Sequence, residues 1–474
     1  MCPLALTRLD GTRTTLTATD LEPLDSVLDG GLIQPGDPYY DRARLVWNGM
    51  VDRRPALIAR CRGLSDVRAA VHFAARHEAL LAVRGGGHNV AGYGTCDGGL
   101  VLDLAGLRHV RVDPTAGTVR VAGGATWADV DRETQAFDQA VPGGIVSTTG
   151  VAGLTLGGGQ GWLRRTFGMT SDNLVSVEVV TAAGDVLTAN EDENPELFWA
   201  VRGGGGNFGV VTSFEFRMHP VGPLVAFAGP VYPVESTPAV VQAFRDFVEG
   251  APDEVNASLT WWSIPPVDTF PAELHGRAVV IVGAVFVGDP QAGEPLLMPL
   301  RAIQDPLLDL SGRLPYTALQ RLFDPFFPPH ELRYYWKSLY LREISSASGE
   351  AIADHVARRP SSESMVALWA LGGALDRVEA SATPAGAGHA PFLVEILANW
   401  RSPGESDANI AWARDLFSAL EPHGTGQVNL NFPGLGQEPG FTRAALRENW
   451  DRLVRAKRRF DPRNAFRLNQ NISP

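Results

Sequence analysis

The sequence predicts an α+β chain of more than one domain. Three observations carry the reading. The chain runs to 474 residues, a length that favours two or three domains over one. Its first half sets short strand-like runs beside helical ones and holds three glycine clusters. From about residue 221 the clusters stop, proline punctuates the chain and tryptophan becomes frequent, which marks a separate unit of sheet and helix.

The elements follow in order. Residues 1–35 are polar and aperiodic and read as a lead-in. Residues 56–61 form an apolar run of strand length. Ser65 suits the N-cap of a helix that repeats Val67, Ala70, Val71 and Ala74 at helical spacing. Residues 80–84 read as a strand that runs straight into Gly85-Gly86-Gly87-His88-Asn89, so the first cluster sits at a strand exit in a β-α-β arrangement. Short strands are expected over 100–104, 109–113 and 118–122, then a helix from near Thr126. The second cluster occupies 142–161. Residues 175–181 and 186–188 suggest a hairpin about Ala183-Gly184-Asp185, and the third cluster, 202–209, leads into a strand over 210–217. The second unit offers strands over 257–262, 278–286, 366–371, 392–397 and 427–432, with helical segments between. Residues 441–459 suit one helix with Leu446, Trp450, Leu453 and Lys457 on one face, and Asp461-Pro462 marks a turn.

Composition bounds the function. Hydrophobic residues at 45% and charged residues at 20% are those of an ordinary globular protein. A net charge of −12 argues against a nucleic-acid partner, which would call for a basic face. Cys2, Cys61 and Cys96 show neither a CxxC nor a zinc spacing, so no disulfide framework or metal site is expected. The N-terminus lacks a basic region followed by an apolar core, and no apolar run is long enough for a bilayer. The expectation is a cytoplasmic protein without a membrane partner.

Glycine costs backbone entropy, and three clusters need a reason. Close backbone approach with N–H groups turned toward an anion is the usual one. For any single cluster, turns and bulges suffice; three within one region favour a phosphate-bearing cofactor. Gly204 to Gly209 matches GxGxxG, but a helical segment precedes it and a strand-like one follows. That order is the reverse of a nicotinamide-binding motif. His88 follows three glycines at a strand exit. No second ligand lies at metal spacing and no Ser/His/Asp arrangement is evident. By chemistry alone it is conspicuous and no more.

Several segments together resemble the berberine-bridge-enzyme-like oxidases of the vanillyl-alcohol oxidase type. They are Trp47-Asn48-Gly49, RRPALIARC (53–61), VRGGGHNVAGYGTCDGGLVLDL (83–104), GVAGLTLGGGQGWLRRTFGMTSDNL (150–174), ENPELFWAVRGGGGNFGVV (193–211) and FDPRNAFRLNQNI (460–472). The resemblance is to the bacterial branch that includes hydroxynicotine oxidase and antibiotic-tailoring oxidases. The resemblance implies a PCMH-type two-lobed FAD-binding domain over 36–220, a substrate domain over 221–435 with a large antiparallel sheet backed by helices, and a segment over 436–474 that returns to the FAD domain. It implies FAD bonded through its 8α carbon to His88. It places Arg84, Gly85, Gly86, Gly87 and Asn89 around the pyrophosphate, with Gly92 close by. Gly143, Gly144, Thr148, Thr149, Gly150, Gly153, Gly157, Gly159, Gly161 and Val211 join the cofactor set, and Asn469 and Asn471 approach the flavin ring. The implied reaction oxidises a small organic substrate (a secondary metabolite, sugar or alkaloid-like molecule) by hydride transfer to flavin N5, with dioxygen reduced to hydrogen peroxide. A monomer or homodimer is expected.

Two departures matter. Doubly linked relatives carry a cysteine where this chain has Val146, so a single link is implied and Cys96 reads as structural. A Tyr-x-Asn-Tyr motif common in the family is here Asn429-Leu430-Asn431-Phe432, so its tyrosine base is missing. Glu395, in the apolar run FLVEIL, is the substitute candidate, because a carboxylate there is costly unless paired or used. An outward-facing position is the plainer alternative. Tyr334, Tyr335 and Lys337 are further candidates, and Asn429 and Asn431 share a strand face from which they hydrogen-bond substrate or flavin. Trp261, Trp262, Trp336, Trp369, Trp400 and Phe432 offer either core or a pocket for a flat substrate. The competing functions are an oxygenating or cyclising flavoprotein, a flavin-carrying sequestration protein, and a dehydrogenase using another acceptor.

Overall fold

The computed structural model describes residues 4–386, 389–435 and 440–474. Cys2 and the boundary expected after residue 435 lie outside the described residues. No described helix is long and apolar enough to cross a membrane.

The chain is α+β, with two lobes and a larger sheet. In the first lobe, Leu57–Arg60 and Leu81–Arg84 both pair in parallel with Leu100–Asp103 between them. The helix Leu64–His77 joins the outer two strands and buries Val67, Ala70, Val71 and Ala74 as the spacing requires. It starts ahead of Ser65. Gly63 is the N-cap, and the Asp66 carboxylate in the first turn accepts the N–H of Arg62, the residue before the cap, at 2.8 Å. The first glycine cluster leaves this sheet at a strand's carboxyl end, where open α/β sheets bind ligands.

The lead-in is a correction. Leu4–Thr7 and Arg13–Leu16 form a hairpin and Ala18–Asp25 a helix. Leu6, Leu16, Leu21 and Leu24 enter the same core as Leu57, Val67 and Leu102. Four leucines spread over three short elements give too few repeats for a visible period.

The second lobe is a five-stranded antiparallel sheet. Its members include the expected hairpin, Leu174–Val180 with Val186–Ala189, and the strand Val210–Arg217. The helix Trp127–Thr134 starts at Thr126, whose N–H and hydroxyl both donate to Asp129 at 2.9 Å. Helix Pro195–Val201 precedes the third glycine cluster and Val210–Arg217 follows it, the reverse of a dinucleotide motif.

The large sheet has nine strands among the described residues. Its central members, Ala278–Phe286, Val255–Ser263, Met365–Ala370, Phe392–Trp400 and Arg333–Leu341, pair antiparallel in that order. Helices Thr237–Gly250, Ser346–Ala357 and Ser406–Leu420 cover one face through Phe244, Ile352 and Leu416. The other face looks toward the glycine clusters.

Two further expectations are corrected. Residues 427–432 are not a strand. Their backbone groups are taken by side chains: Asn429 N–H donates to Ser338 Oγ at 3.0 Å, Asn431 N–H to Asn429 Oδ1 at 3.0 Å, and Leu430 O accepts Gln470 Nε2–H at 2.8 Å. The helix expected over 441–459 is broken into Phe441–Leu446 and Trp450–Phe460. Arg447 sits at φ +47° between them, and Asn449 spends its side-chain amide on the carbonyls of Ala380 and Thr383.

Candidate active site

The three glycine clusters, the C-terminal segment and the open face of the large sheet enclose one cavity of about 280 Å³. Arg84, Gly85, Gly86, Gly87, His88 and Asn89 line it from the first cluster; Gly144, Thr149, Gly150, Gly153, Gly157 and Gly161 from the second. Gly205, Gly206, Gly209 and Val211 follow from the third, and Asn469 from the tail. The sheet side contributes Trp336, Trp369, Glu395, Leu397 and Phe327, with Asn429, Asn431 and Phe432 from the loop beside it.

The first two clusters meet backbone to backbone. A Cβ on Gly150 would lie 2.3 Å from the Gly86 nitrogen, and one on Gly86 would lie 2.4 Å from the Gly150 nitrogen. Neither position tolerates a side chain without moving main chain. Gly150→Ala is expected to cost about 1–3 kcal/mol by overpacking, which the melting temperature checks.

His88 stands at the junction of the clusters and the sheet. Its Nε2 is 2.9 Å from Thr148 Oγ1 and its Nδ1 3.4 Å from Thr149 Oγ1. The imidazole stacks on Trp47 at 4.7 Å, and Trp47 stacks in turn on Tyr334 at 3.7 Å. Burial, with His330 as a nearby second imidazole, pushes its pKa down to about 3. The ring is therefore neutral and keeps a nucleophilic lone pair. Arg84, below the cluster, forms a buried ion pair with Asp103 at 2.9 Å.

Glu395 lies on the cavity face of Phe392–Trp400, opposite Ser338 on one neighbouring strand and Ala367 on the other. Its Oε2 accepts Trp369 Nε1–H at 2.8 Å. Burial raises its pKa to about 7, against the lowering by that hydrogen bond and by Arg164. The inward position decides against the outward alternative.

Tyr335 and Lys337 are on the wrong face of their strand. Tyr335 is in the helix-backed core, where its hydroxyl accepts Arg414 Nε–H at 3.1 Å. Lys337 Nζ sits 4.3 Å over the Phe417 ring of helix Ser406–Leu420. Side chains alternate along a strand, so Trp336 between them faces the cavity instead. Tyr334 packs behind Trp47 and donates to Pro328 O at 3.0 Å. Trp261 and Trp400 are core, and Trp262 packs on Phe326. Gly92, Gly143, Gly159, Thr148 and Asn471 do not line the cavity, although Thr148 reaches it through His88. The lining residues Tyr93, Gln160 and Leu468, and Trp47 behind His88, lie in the quoted motifs without an assigned role, and Val146, the position of the missing second link, also lines the cavity.

Residues 55–190 match the FAD binding domain family, and residues 428–473 match the berberine and berberine-like family. The chain is 31% identical to (R)-6-hydroxynicotine oxidase of Paenarthrobacter nicotinovorans over 94% of this chain and 97% of that protein. This chain belongs to the berberine-bridge-enzyme-like FAD-linked oxidoreductases. It is also 30% identical to an FAD-linked oxidoreductase of Dictyostelium discoideum, over 94% of this chain and 95% of the other. The crystal structure of 6-hydroxy-D-nicotine oxidase from Arthrobacter nicotinovorans superposes with a TM-score of 0.84 at 30% identity, covering 97% of this chain and all of that one. A berberine-like FAD-linked oxidoreductase needs a cradle for a pyrophosphate, and the residues here suit one. The N–H groups of Gly85 to Asn89 find no protein acceptor among the described residues. The buried Asn469 Oδ1, on the cavity wall, also lacks a described partner.

Proposed function

We propose that this chain holds FAD through a single covalent bond to His88 and oxidises a small organic molecule bound between the cofactor and the sheet face carrying Trp336, Trp369 and Glu395. The observation that carries the reading is the imidazole of His88 at the mouth of the glycine cradle, held by two threonine hydroxyls and a stacked indole. Bound there, FAD supplies a two-electron acceptor for a substrate C–H bond and passes the electrons to dioxygen, releasing hydrogen peroxide.

The chain's own residues supply position and proton handling. The N–H groups of Gly85 to Asn89 bind the pyrophosphate. Trp336, Trp369 and Phe432 form apolar walls that orient a flat substrate and exclude water. Glu395 Oε2 is already held by Trp369, so Oε1 receives the proton when an alcohol or amine is oxidised. Asn429 and Asn431 fix the loop beside it, Asn431 Nδ2–H reaching Leu154 O at 3.2 Å. The second link of some relatives has no counterpart here: Val146 occupies that position on the cavity wall, and Cys96 is buried away from it.

Intact mass under denaturing conditions tests the reading. Wild type is expected to carry an FAD-sized increment that His88→Ala loses. A wild type that releases all its flavin on denaturation contradicts the covalent bond. Peroxide release in a substrate screen separates the oxidase from a dehydrogenase or a sequestration protein.

A further inference from the structure

Both supports of His88 are tied to one stretch of the substrate side, residues 324–330, which leads into the strand Arg333–Leu341. On the Trp47 side, Phe327 O accepts Trp47 Nε1–H at 3.1 Å, His330 N–H donates to Trp47 O at 2.8 Å, and His330 Nδ1 lies 2.7 Å from Val46 O. On the threonine side, Asp324 Oδ1 accepts Ser147 N–H at 2.8 Å and Oδ2 accepts the Ser147 hydroxyl at 2.5 Å. Ser147 directly precedes Thr148, whose hydroxyl meets His88 Nε2. From below, the same loop is fixed by helix Trp127–Thr134: Ala128 N–H donates to Ser147 O at 2.8 Å and Trp127 N–H to Thr149 O at 3.0 Å. The loop that holds the imidazole is thus gripped on two sides, at Ser147 by Asp324 and from below by helix Trp127–Thr134.

We propose that Asp324 is a positioning residue for flavin attachment: by clamping Ser147 it holds the Thr148 hydroxyl against His88 while Phe327 and His330 hold the opposing indole. The proposal rests on the covalent reading above. Attachment joins a His88 ring nitrogen to the flavin 8α carbon. One N–H and one C–H bond are lost, and the two protons and two electrons end on dioxygen as hydrogen peroxide. The imidazole must be held on line for that bond to form, and loss of alignment by about an ångström slows such a step by up to ~10²-fold. A carboxylate suits the clamp because it accepts from a backbone N–H and a hydroxyl at once, with charge-assisted strength. Asparagine keeps one of these bonds and alanine neither.

The test compares wild type with Asp324→Ala, Asp324→Asn and Ser147→Ala, each prepared with excess FAD. Intact mass gives the covalently loaded fraction at matched times, and absorbance of the supernatant after acid denaturation gives the releasable FAD. Total flavin per chain is expected to stay near the wild-type level. The linked fraction is expected to form roughly tenfold more slowly in Asp324→Ala, with Asp324→Asn between it and wild type. Linkage at the wild-type rate in both Asp324→Ala and Ser147→Ala overturns the proposal. So does loss of linked and releasable flavin together, which marks a strut of the fold. If Asp324→Ala does not fold, Ser147→Ala, which removes one hydroxyl contact, decides. A wild type without any covalent flavin overturns the linkage reading itself, and the clamp with it.

Discussion

Turnover in Glu395→Gln is expected to fall by roughly 10²–10⁴-fold, the range for removing a positioned general base. Glutamine keeps the size and the Trp369 contact but cannot take a proton. The measurement is the anaerobic rate at which flavin absorbance bleaches with a substrate found by peroxide release. Because the Glu395 pKa is raised to about 7, the wild-type rate is expected to climb with pH up to about 7 and then level, and the variant to lose that limb. An unchanged rate and profile would remove Glu395 from the mechanism. The same shift has a stability sign. Between the ordinary glutamate value of 4.5 and about 7, the folded chain keeps a proton that the unfolded chain has lost. Stability therefore falls as pH rises through that window, and Glu395→Gln flattens this dependence.

Lys457→Met is expected to destabilise the fold by about 3–5 kcal/mol, because it leaves a buried carboxylate without its cation. Lys457 and Asp461 are both fully buried, with Nζ 2.7 Å from Oδ2. Nζ also donates to Asn207 O at 2.8 Å and Phe466 O at 3.0 Å, so one ammonium ties the third glycine cluster to the tail. Denaturant unfolding checks the size of the loss. The double variant Lys457→Met with Asp461→Asn is expected to recover part of it, since no unpaired charge remains. Equal stability of Lys457→Met and wild type would show that the pair is dispensable.

The legible parts of this molecule were those written locally. The strand-glycine-histidine junction, expected from residue 80 and found from Leu81, and the strand Val210–Arg217 depend on neighbours in sequence. Faces of the large sheet were not legible. Phe392–Trp400 is buried on both sides along its whole length, so alternation splits its residues into two sets without saying which set meets the cofactor. Arg333–Leu341 shows the cost: Tyr335 and Lys337 attract attention by their chemistry, while the cavity takes Trp336. Asn429 and Asn431 resemble alternate strand positions, yet the Asn429 backbone is held by the distant Ser338 and the Asn431 backbone by the Asn429 side chain in an Asx turn. Asp324 is 177 residues from Ser147, and nothing in either segment points to the other.

The tail closes the cavity across a long span of chain. Asn469 Nδ2–H donates to Gly206 O across 263 residues, Gln470 Nε2–H to Leu430 O, and Ile472 N–H to Asn207 Oδ1. During synthesis the glycine cradle and His88 are therefore made hundreds of residues before the wall that encloses them. A growing chain that has emerged only as far as Leu430 presents an open trough, which closes when the final segment docks. Trimming the residues from Asn469 onward would reopen that trough while leaving every glycine cluster in place.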